Sequence, residues 1–368
     1  KMKKIILISI LFLTFGFNYA QTESTKTILF LLPINAHGLA QTNIESLNEA
    51  ADIENHFNNS LIGFWEGAQI ALNEIAENGR MLNVITRDIT NDSNKLESIL
   101  AEVANKKIDL IIAPVYGKMF PKVAAFAKNH KIPVINPFSS RHDIVEENPY
   151  VYKLIPDLSV RPQMVNETYP NSNYILWINE NDFAHEVAAY ENYFRSHNIV
   201  YHKTVDTADI SKLFSEHLRN VVISCYSNPI RVSQTMTKML NYSEKNFQWI
   251  VPESWFKIKN LNIENANTFK LCYFTNYFVD AAEELTTVFT YNYARKYESL
   301  PTIDNFAFQG YDVTKFFVNL ICNDYNIVGN EDLPLSCRFK FKRAEKGGYE
   351  NTQTRLIQID NYKYIEIK

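Results

Sequence analysis

The sequence predicts an α/β protein of two doubly wound parallel sheets, which form two lobes with a cleft between them. Apolar runs of strand length alternate with segments of helical periodicity, and the alternation occurs in two consecutive series, at residues 27–136 and 174–273. Strands that are separated by helices are joined by right-handed crossovers and pair in parallel. A chain of 368 residues is also long enough for two domains of ordinary size.

The first series begins with a buried strand and continues with an amphipathic helix after a long polar segment. Residues 35–59 are polar and aperiodic, so they are either disordered or a functional flap. The segment "NNSLIGFWEGAQIALNEIAENG" places its apolar residues on one helical face and ends at Gly79. In this series we expect strands at 27–33, 82–87, 108–113 and 133–136, and further helices at 94–105 and 121–130.

The second series predicts another wound unit of similar size. We expect strands at 174–178, near Val200, at 221–225, 247–252 and 269–273, and helices at 184–197, 210–219 and 229–240. In open α/β sheets a ligand lies beyond the carboxyl ends of the strands. With two lobes, these ends are expected to face each other across the cleft.

The amino terminus has the order of residues that is typical of a secretory signal peptide. Lys3 and Lys4 precede the apolar run 5–17, and Ala20 precedes a polar residue. A membrane anchor would need about 20 apolar residues, and this run is shorter. We therefore expect residues 1–20 to be removed, and the remaining chain to be periplasmic and not inserted in a membrane.

Charge and cysteine content narrow the possible partners and cofactors. The net charge of -4 gives no support to a nucleic-acid partner. No CxxC or Cys/His metal spacing occurs, so no metal or other cofactor is expected. Cys225 and Cys272 lie in apolar runs and are expected to be buried thiols. Cys322 and Cys337 flank a polar loop and could form a disulfide, although four cysteines permit three connectivities.

Several segments, in their order, resemble the type I periplasmic solute-binding proteins, the fold of the leucine/isoleucine/valine-binding proteins. They are "FWEGAQIALNEI", "IDLIIAPVYGKMFPKVAAFAKNHKIPVINPFSS", "NPYVYKLIPD", "FTYNYARKYESLPTIDNFAFQGYDVTKFF" and "FKRAEKGGYENTQTRLIQID". The likeness is greatest to members from Bacteroidetes-type bacteria. It implies a chain that crosses between lobes more than once, with lobe 1 at 22–155 plus 279–322 and lobe 2 at 156–278 plus 323–368. Such crossings would form a hinge that closes around a solute.

The resemblance also implies where lobe 1 would hold a ligand carboxylate. In amino-acid-binding members a Ser follows the third strand, and here Gly117 stands between Tyr116 and Lys118, so the hydroxyl is absent. Backbone N–H groups could still bind an anion. Lys118 could assist them or could be a surface charge. In the next loop Ser139 and Ser140 stand where family members use small or hydroxyl residues against the carboxylate, and they could equally cap a helix.

Lobe 2 is expected to supply the partner of a ligand amino group and further contacts. Asp157 lies near the first crossing, but the acidic position after the strand that holds Cys272 carries no acid. Tyr226, Asn228 and Tyr277 stand at expected strand ends and suit a neutral or apolar solute. Aromatic side chains in these places could also pack the two lobes together.

The function expected from these features is non-catalytic binding of a small-molecule solute between the lobes, for ABC-type uptake or for sensing. The partner would then be a membrane transporter. The alternative is a cell-envelope module that keeps the fold, has lost the amino-acid site and binds a protein complex. No GxSxG, HExxH or P-loop motif occurs. Ser140, His142 and Asp143 are too close in sequence to form a catalytic triad, so an enzyme is not expected.

Overall fold

A computed structural model describes residues 25–41, 61–90, 92–115, 117–179, 182–205, 209–325, 334–344 and 347–367. Its strands are β1 Lys26–Leu32, β2 Leu82–Asp88, β3 Leu110–Ile112, β4 Val134–Asn136, β5 Val151–Lys153, β6 Asn173–Ile178, β7 Tyr201–Val205, β8 Asn220–Cys225, β9 Phe247–Ile250, β10 Cys272–Thr275, β11 Phe341–Arg343, β12 Tyr349–Asn351, β13 Arg355–Asp360 and β14 Lys363–Glu366. Its α-helices are α1 Ala36–Gln41, α2 Ile62–Glu77, α3 Ser93–Val103, α4 Phe120–His130, α5 Val160–Thr168, α6 Ala184–Ser196, α7 Pro229–Met239, α8 Ile263–Thr268, α9 Glu284–Tyr297 and α10 Ala307–Cys322.

The first sheet has the strand order β11-β12-β5-β4-β3-β1-β2. All its pairs are parallel except β11 with β12. The interior strand β1 is largely apolar because helices cover both faces of the sheet. Ile28 of β1 pairs with Val84 of β2 and with Leu110 of β3, so β1 lies between the two strands that follow it in sequence.

Helices α2 and α10 cross very closely on one face of this sheet. A Cβ atom at Gly67 would lie 1.9 Å from the carbonyl oxygen of Ala307, and one at Gly310 would lie 1.9 Å from that of Phe64. The two helices therefore approach backbone to backbone, which only glycine permits at these positions. This contact attaches α10 to the first sheet, although about 230 residues of chain separate it from α2.

The second sheet has the order β14-β13-β10-β9-β8-β6-β7, with β13 and β14 antiparallel to their neighbours and the other pairs parallel. Its core contains the rings of Trp177, Trp249 and Trp255, each fully buried. The prediction of two wound sheets is confirmed.

Three chain crossings connect the two sheets, between β5 and α5, between β10 and α9, and between β12 and β13. Side chains at the third crossing bind the other two. Asn351 donates to the carbonyl oxygen of Leu154 at 3.0 Å, and Thr354 donates to that of Thr275 at 3.1 Å. Arg355 donates to the carbonyl oxygen of Phe278 at 2.6 Å. The crossings thus form one hydrogen-bonded hinge.

The expected bounds need corrections in lobe 2 and at the carboxyl-terminal part of the chain. The helix predicted at 210–219 is wrong: only a 3₁₀ turn forms, Ile210–Leu213, because the Asn220 side chain holds Ser215 in a non-helical turn. The strand predicted at 269–273 lies later, at β10. The predicted boundary at residue 322 does not follow sheet membership, since β11 and β12 pair in the first sheet.

Cys322 and Cys337 are not joined by a disulfide. The reason is the position of Cys337, whose amide donates to Asp312 at 3.0 Å. Asp312 lies ten residues before Cys322 on α10, which corresponds to about 15 Å along the helix axis. A disulfide requires Cα atoms within about 7 Å. The expectation of buried Cys225 and Cys272 is confirmed.

Other expectations fall wholly or partly outside the described residues. The signal peptide at 1–20 lies outside them, as does Tyr116. Of the polar segment 35–59, residues 36–41 form α1, whose start is fixed by Asp88 accepting from the Ala36 amide at 2.8 Å. Among the described helices, none combines the length and apolar character that a bilayer crossing requires.

Candidate functional site

The candidate site is the space between the carboxyl ends of the two parallel sheets. Tyr277 follows β10 of the second sheet, and its hydroxyl donates to the carbonyl oxygen of Pro137, which follows β4 of the first, at 2.8 Å. These ends of the two sheets therefore face each other. In each sheet the strand order changes direction next to this space, between β1 and β3 and between β6 and β8. Ligands bind at such points because adjacent loops diverge there and leave a crevice.

Asn136 determines the shape of the lobe 1 wall. Its side chain is fully buried and donates to the carbonyl oxygen of Val115 in the loop after β3, at 2.9 Å. Its oxygen accepts from the amides of Phe138 and Ser139 at 3.0 and 3.1 Å. Both loops of the candidate site are thus held by the side-chain amide of Asn136. Sequence reasoning missed this residue, although an Asn before Pro is a turn signal.

The loop after β3 presents backbone and one lysine to this space. Gly117 is exposed with a φ of +57°, and a Cβ atom there would meet nothing within 4 Å. The left-handed conformation is the reason that glycine suits this position. Lys118 is exposed, which fits a surface charge as well as a ligand contact.

The two serines of the next loop differ in their surroundings. Ser139 is half-buried, and its hydroxyl accepts from the amide of Arg141 at 3.3 Å, which is a local turn contact. Ser140 is exposed. The carboxylate of Asp143 accepts a hydrogen bond from Nε of Arg141 at 2.9 Å.

Two of the residues expected to bind ligand in lobe 2 make contacts that stabilise the fold. The Tyr226 ring is fully buried between Trp177 and Trp255, with ring centroids 6.1 and 5.5 Å away, so it belongs to the core of the lobe. Asn228 caps α7, and its side chain accepts from the amides of Ile230 and Arg231 at 3.1 and 3.2 Å. The structure shows packing and capping for these two residues, and their ligand roles stay predictions.

Asp157 lies at the hinge. Its carboxylate accepts from the Ser159 amide at 2.8 Å, and it lines a cavity of about 440 Å³ between α5 and the β11–β12 edge. Lys340 and Lys342 line the same cavity. The structure therefore groups Asp157 with Lys340 and Lys342 at the hinge.

An ion pair at the carboxyl end of the second sheet was not anticipated. Arg161 begins α5 and donates to Glu186 in the first turn of α6 at 2.7 Å. The guanidinium also lies 5.7 Å from the ring centroid of Phe274. Burial lowers the pKa of Arg161, but Glu186 and the more distant Glu253 outweigh it and raise that pKa overall. The two partners lie 25 residues apart on different helices, so no local pattern reveals them.

The described residues contain no cluster of three or more His, Cys, Asp or Glu side chains that could hold a metal ion. Lobe 1 offers backbone groups and hydroxyls, while lobe 2 offers Tyr277 and the charged side chains of Arg161 and Glu186.

No family model and no curated protein matches the chain. Solved structures do match the chain. One from Rhodospirillum rubrum, provisionally assigned to branched-chain amino acid ABC transport, has a TM-score of 0.65 at 11% identity and covers 94% of this chain and 100% of that chain. An ABC transporter substrate-binding protein from Desulfitobacterium hafniense in complex with Leu has a TM-score of 0.53 at 15% identity, covering 94% and 100%.

A third match is a branched-chain amino acid ABC transporter periplasmic ligand-binding protein from Burkholderia xenovorans. Its TM-score is 0.53 at 12% identity, and the match covers 94% of this chain and 95% of that one. At such low identity the likeness concerns the fold. The resemblance found in the sequence is confirmed at that level: the chain has the two-lobed fold of the type I periplasmic solute-binding proteins.

Proposed function

We propose that the protein is a non-catalytic binding protein that holds a small organic solute between its two lobes. The observation that carries the proposal is the contact between Tyr277 and the carbonyl oxygen of Pro137. It brings the loops at the carboxyl ends of the two sheets within hydrogen-bonding distance. A solute placed beside this contact would meet both lobes and would stabilise the closed arrangement.

The hinge and the loops give this proposal a mechanism. Three crossings that are tied by Asn351, Thr354 and Arg355 can bend together while each sheet stays intact. Asn136 holds the lobe 1 loops in place before the solute arrives. Preorganised loops lose less conformational entropy on binding, and this favours affinity.

Amino acids are the first solute class to test, because a structural relative contains Leu. The charged pair of Arg161 and Glu186 in lobe 2 supports a solute that carries charge of both signs. Gly117 replaces the hydroxyl that the family resemblance leads one to expect, so small peptides and nucleobases belong in the same screen.

The test is a thermal-shift screen of the purified protein against these three classes, followed by calorimetry on any solute that raises the unfolding temperature. Ser139→Ala removes one cleft hydroxyl, and Ser243→Ala is the matched control, since its hydroxyl donates to the Leu240 carbonyl oxygen far from the cleft. A cleft solute should lose affinity only in the first variant. Equal affinity in both variants and the wild type would reject a role for Ser139.

Periplasmic location and delivery of the solute to a membrane transporter belong to the same proposal. Both are supported by the fold shared with periplasmic ligand-binding proteins. Cell fractionation with an epitope-tagged full-length chain tests the location. Recovery in the cytoplasmic fraction would contradict it.

A second candidate is a cell-envelope interaction module with no solute. It is favoured by the use of Tyr226 for packing and of Asn228 for capping, together with the absent hydroxyl at Gly117. Co-purification with an envelope complex, combined with no solute that shifts the unfolding temperature, would support this module over the binding protein.

A further inference from the structure

Lobe 1 contains a second pocket, named here the distal pocket, at the end of the first sheet opposite the candidate site. Its volume is about 590 Å³. Pro133 and Tyr150, which line it, directly precede β4 and β5. The carboxyl ends of the same strands lead to the cleft loops, so the pocket and the cleft lie at opposite ends of the sheet.

Stacked aromatic rings form one side of the distal pocket. Tyr152 of β5 and Tyr349 of β12 stack with ring centroids 4.5 Å apart and an interplanar angle of 7°. Phe341 of β11 meets Tyr152 edge-on at 5.4 Å. Phe316 and Leu320 in the second half of α10 form the facing wall. The pocket therefore lies between the β5–β12–β11 side of the sheet and the second half of α10.

The charged side chains that line the distal pocket, among the residues described there, are two cations. Lys131 and Arg343 are both exposed, and the guanidinium of Arg343 lies 5.9 Å from the ring centroid of Tyr349. Burial raises the pKa of Tyr152, and the neighbouring Tyr349 raises it further, so the Tyr152 hydroxyl stays protonated at neutral pH. The pocket therefore combines aromatic walls with positive charge at its opening.

We infer that the distal pocket binds an aromatic carboxylate, with the ring against the aromatic walls and the carboxylate at Arg343 and Lys131. The volume lies within the range of about 300 to 1,000 Å³ that is usual for small-molecule sites. Aromatic walls favour a planar ring by offset or edge-on contact. A guanidinium binds a carboxylate through two parallel hydrogen bonds. This site is independent of the proposed cleft function, because no described residue of the cleft loops lines it.

Calorimetry with 1-naphthoate as the probe tests the inference, and neutral 1-naphthalenemethanol serves as the matched probe without charge. The variant Lys131→Gln/Arg343→Gln removes both cations, and Lys128→Gln/Arg295→Gln removes two exposed cations that do not line the pocket. Leu320→Trp fills the pocket while it keeps the two cations.

We expect saturable naphthoate binding to the wild type, about tenfold weaker binding to the first double variant, and unchanged binding to the control. The neutral probe should bind more weakly than naphthoate, and Leu320→Trp should abolish binding while the unfolding midpoint changes little. No saturable binding to the wild type would overturn the inference. So would an equal loss in both double variants, or a loss caused by Ser139→Ala, which would place the probe in the cleft. If Leu320→Trp fails to fold, the two double variants still decide the question.

Discussion

Replacing Asn136 by alanine should destabilise lobe 1 and weaken solute binding at the same time. The substitution deletes one hydrogen bond to the Val115 carbonyl oxygen and two from the amides of Phe138 and Ser139. Each buried hydrogen bond contributes about 1 kcal/mol net, so the free energy of unfolding should fall by about 3 kcal/mol. The same three bonds hold the two loops of the candidate site, so the loss should also reduce affinity.

Asn148→Ala is the matched control for this prediction. Asn148 is also buried in lobe 1, donates to the Ala124 carbonyl oxygen at 2.8 Å and accepts from the Tyr150 amide at 3.2 Å. It lies before β5, away from the cleft loops. Its replacement should cost about 2 kcal/mol of unfolding free energy and should leave the affinity for a cleft solute unchanged.

Urea denaturation with and without a solute found in the thermal-shift screen measures both effects. A solute at 100 times its Kd stabilises the wild type by about 2.7 kcal/mol, and a tenfold loss of affinity removes about 1.4 kcal/mol of this. We expect that loss in Asn136→Ala and not in Asn148→Ala. The reasoning is refuted if Asn136→Ala costs less than about 0.5 kcal/mol, as an ordinary surface substitution does, or if solute stabilisation falls equally in both variants.

Three further predictions concern the lobe contact, a buried carboxylate and the cysteines. Tyr277→Phe removes the hydroxyl that donates to the Pro137 carbonyl oxygen, so the free energy of unfolding should fall by about 1 kcal/mol. Small-angle scattering of the solute-free variant should give a larger radius of gyration than that of the wild type. An unchanged radius would show that this bond does not hold the two lobes together. Asp312→Asn should cost about 3 kcal/mol near pH 7, since the carboxylate accepts four hydrogen bonds. Burial raises the pKa of Asp312 and outweighs the hydrogen bonds, which lower it. The carboxyl group therefore binds its proton more tightly in the folded state than in the unfolded state. For this reason the contribution of Asp312 to the unfolding free energy should decrease as the pH rises above its ordinary pKa of 3.8. Urea midpoints from about pH 4 to pH 7 test this, and a variant that keeps the wild-type slope would contradict it. Peptide mapping after air oxidation should find no peptide that links Cys322 to Cys337. Recovery of one would contradict the distance along α10 between Cys322 and Asp312, which binds the Cys337 amide.

The sequence was sufficient for the sheets because buried strands and amphipathic helices have distinct periods. The strand β1 and the helix α2 are both found within a few residues of their expected bounds. The predicted secondary structure is wrong where a side-chain contact, and not the hydrophobic periodicity, determines the backbone conformation. Asn220 organises the turn that replaces the helix expected at 210–219, and it does so through contacts that are specific to the folded chain.

The candidate site was predictable as a location and only partly as a set of residues. Strand ends can be found from the apolar runs, so the sequence predicts the positions of the loops that contain Gly117 and Ser139. Tyr226 was assigned to the cleft because the run of β8 ends just before it, yet two tryptophans from distant strands and turns bury its ring. The pairing of Arg161 with Glu186 depends on how α5 and α6 pack, which no short pattern encodes.

The most direct test of the account is small-angle scattering of the purified protein with and without a solute that raises its unfolding temperature. Binding between hinged lobes predicts a smaller radius of gyration in the presence of the solute, and a weaker effect in Ser139→Ala than in Ser243→Ala. If no amino acid, small peptide or nucleobase changes the unfolding temperature or the radius of gyration, the protein does not bind such solutes between its lobes.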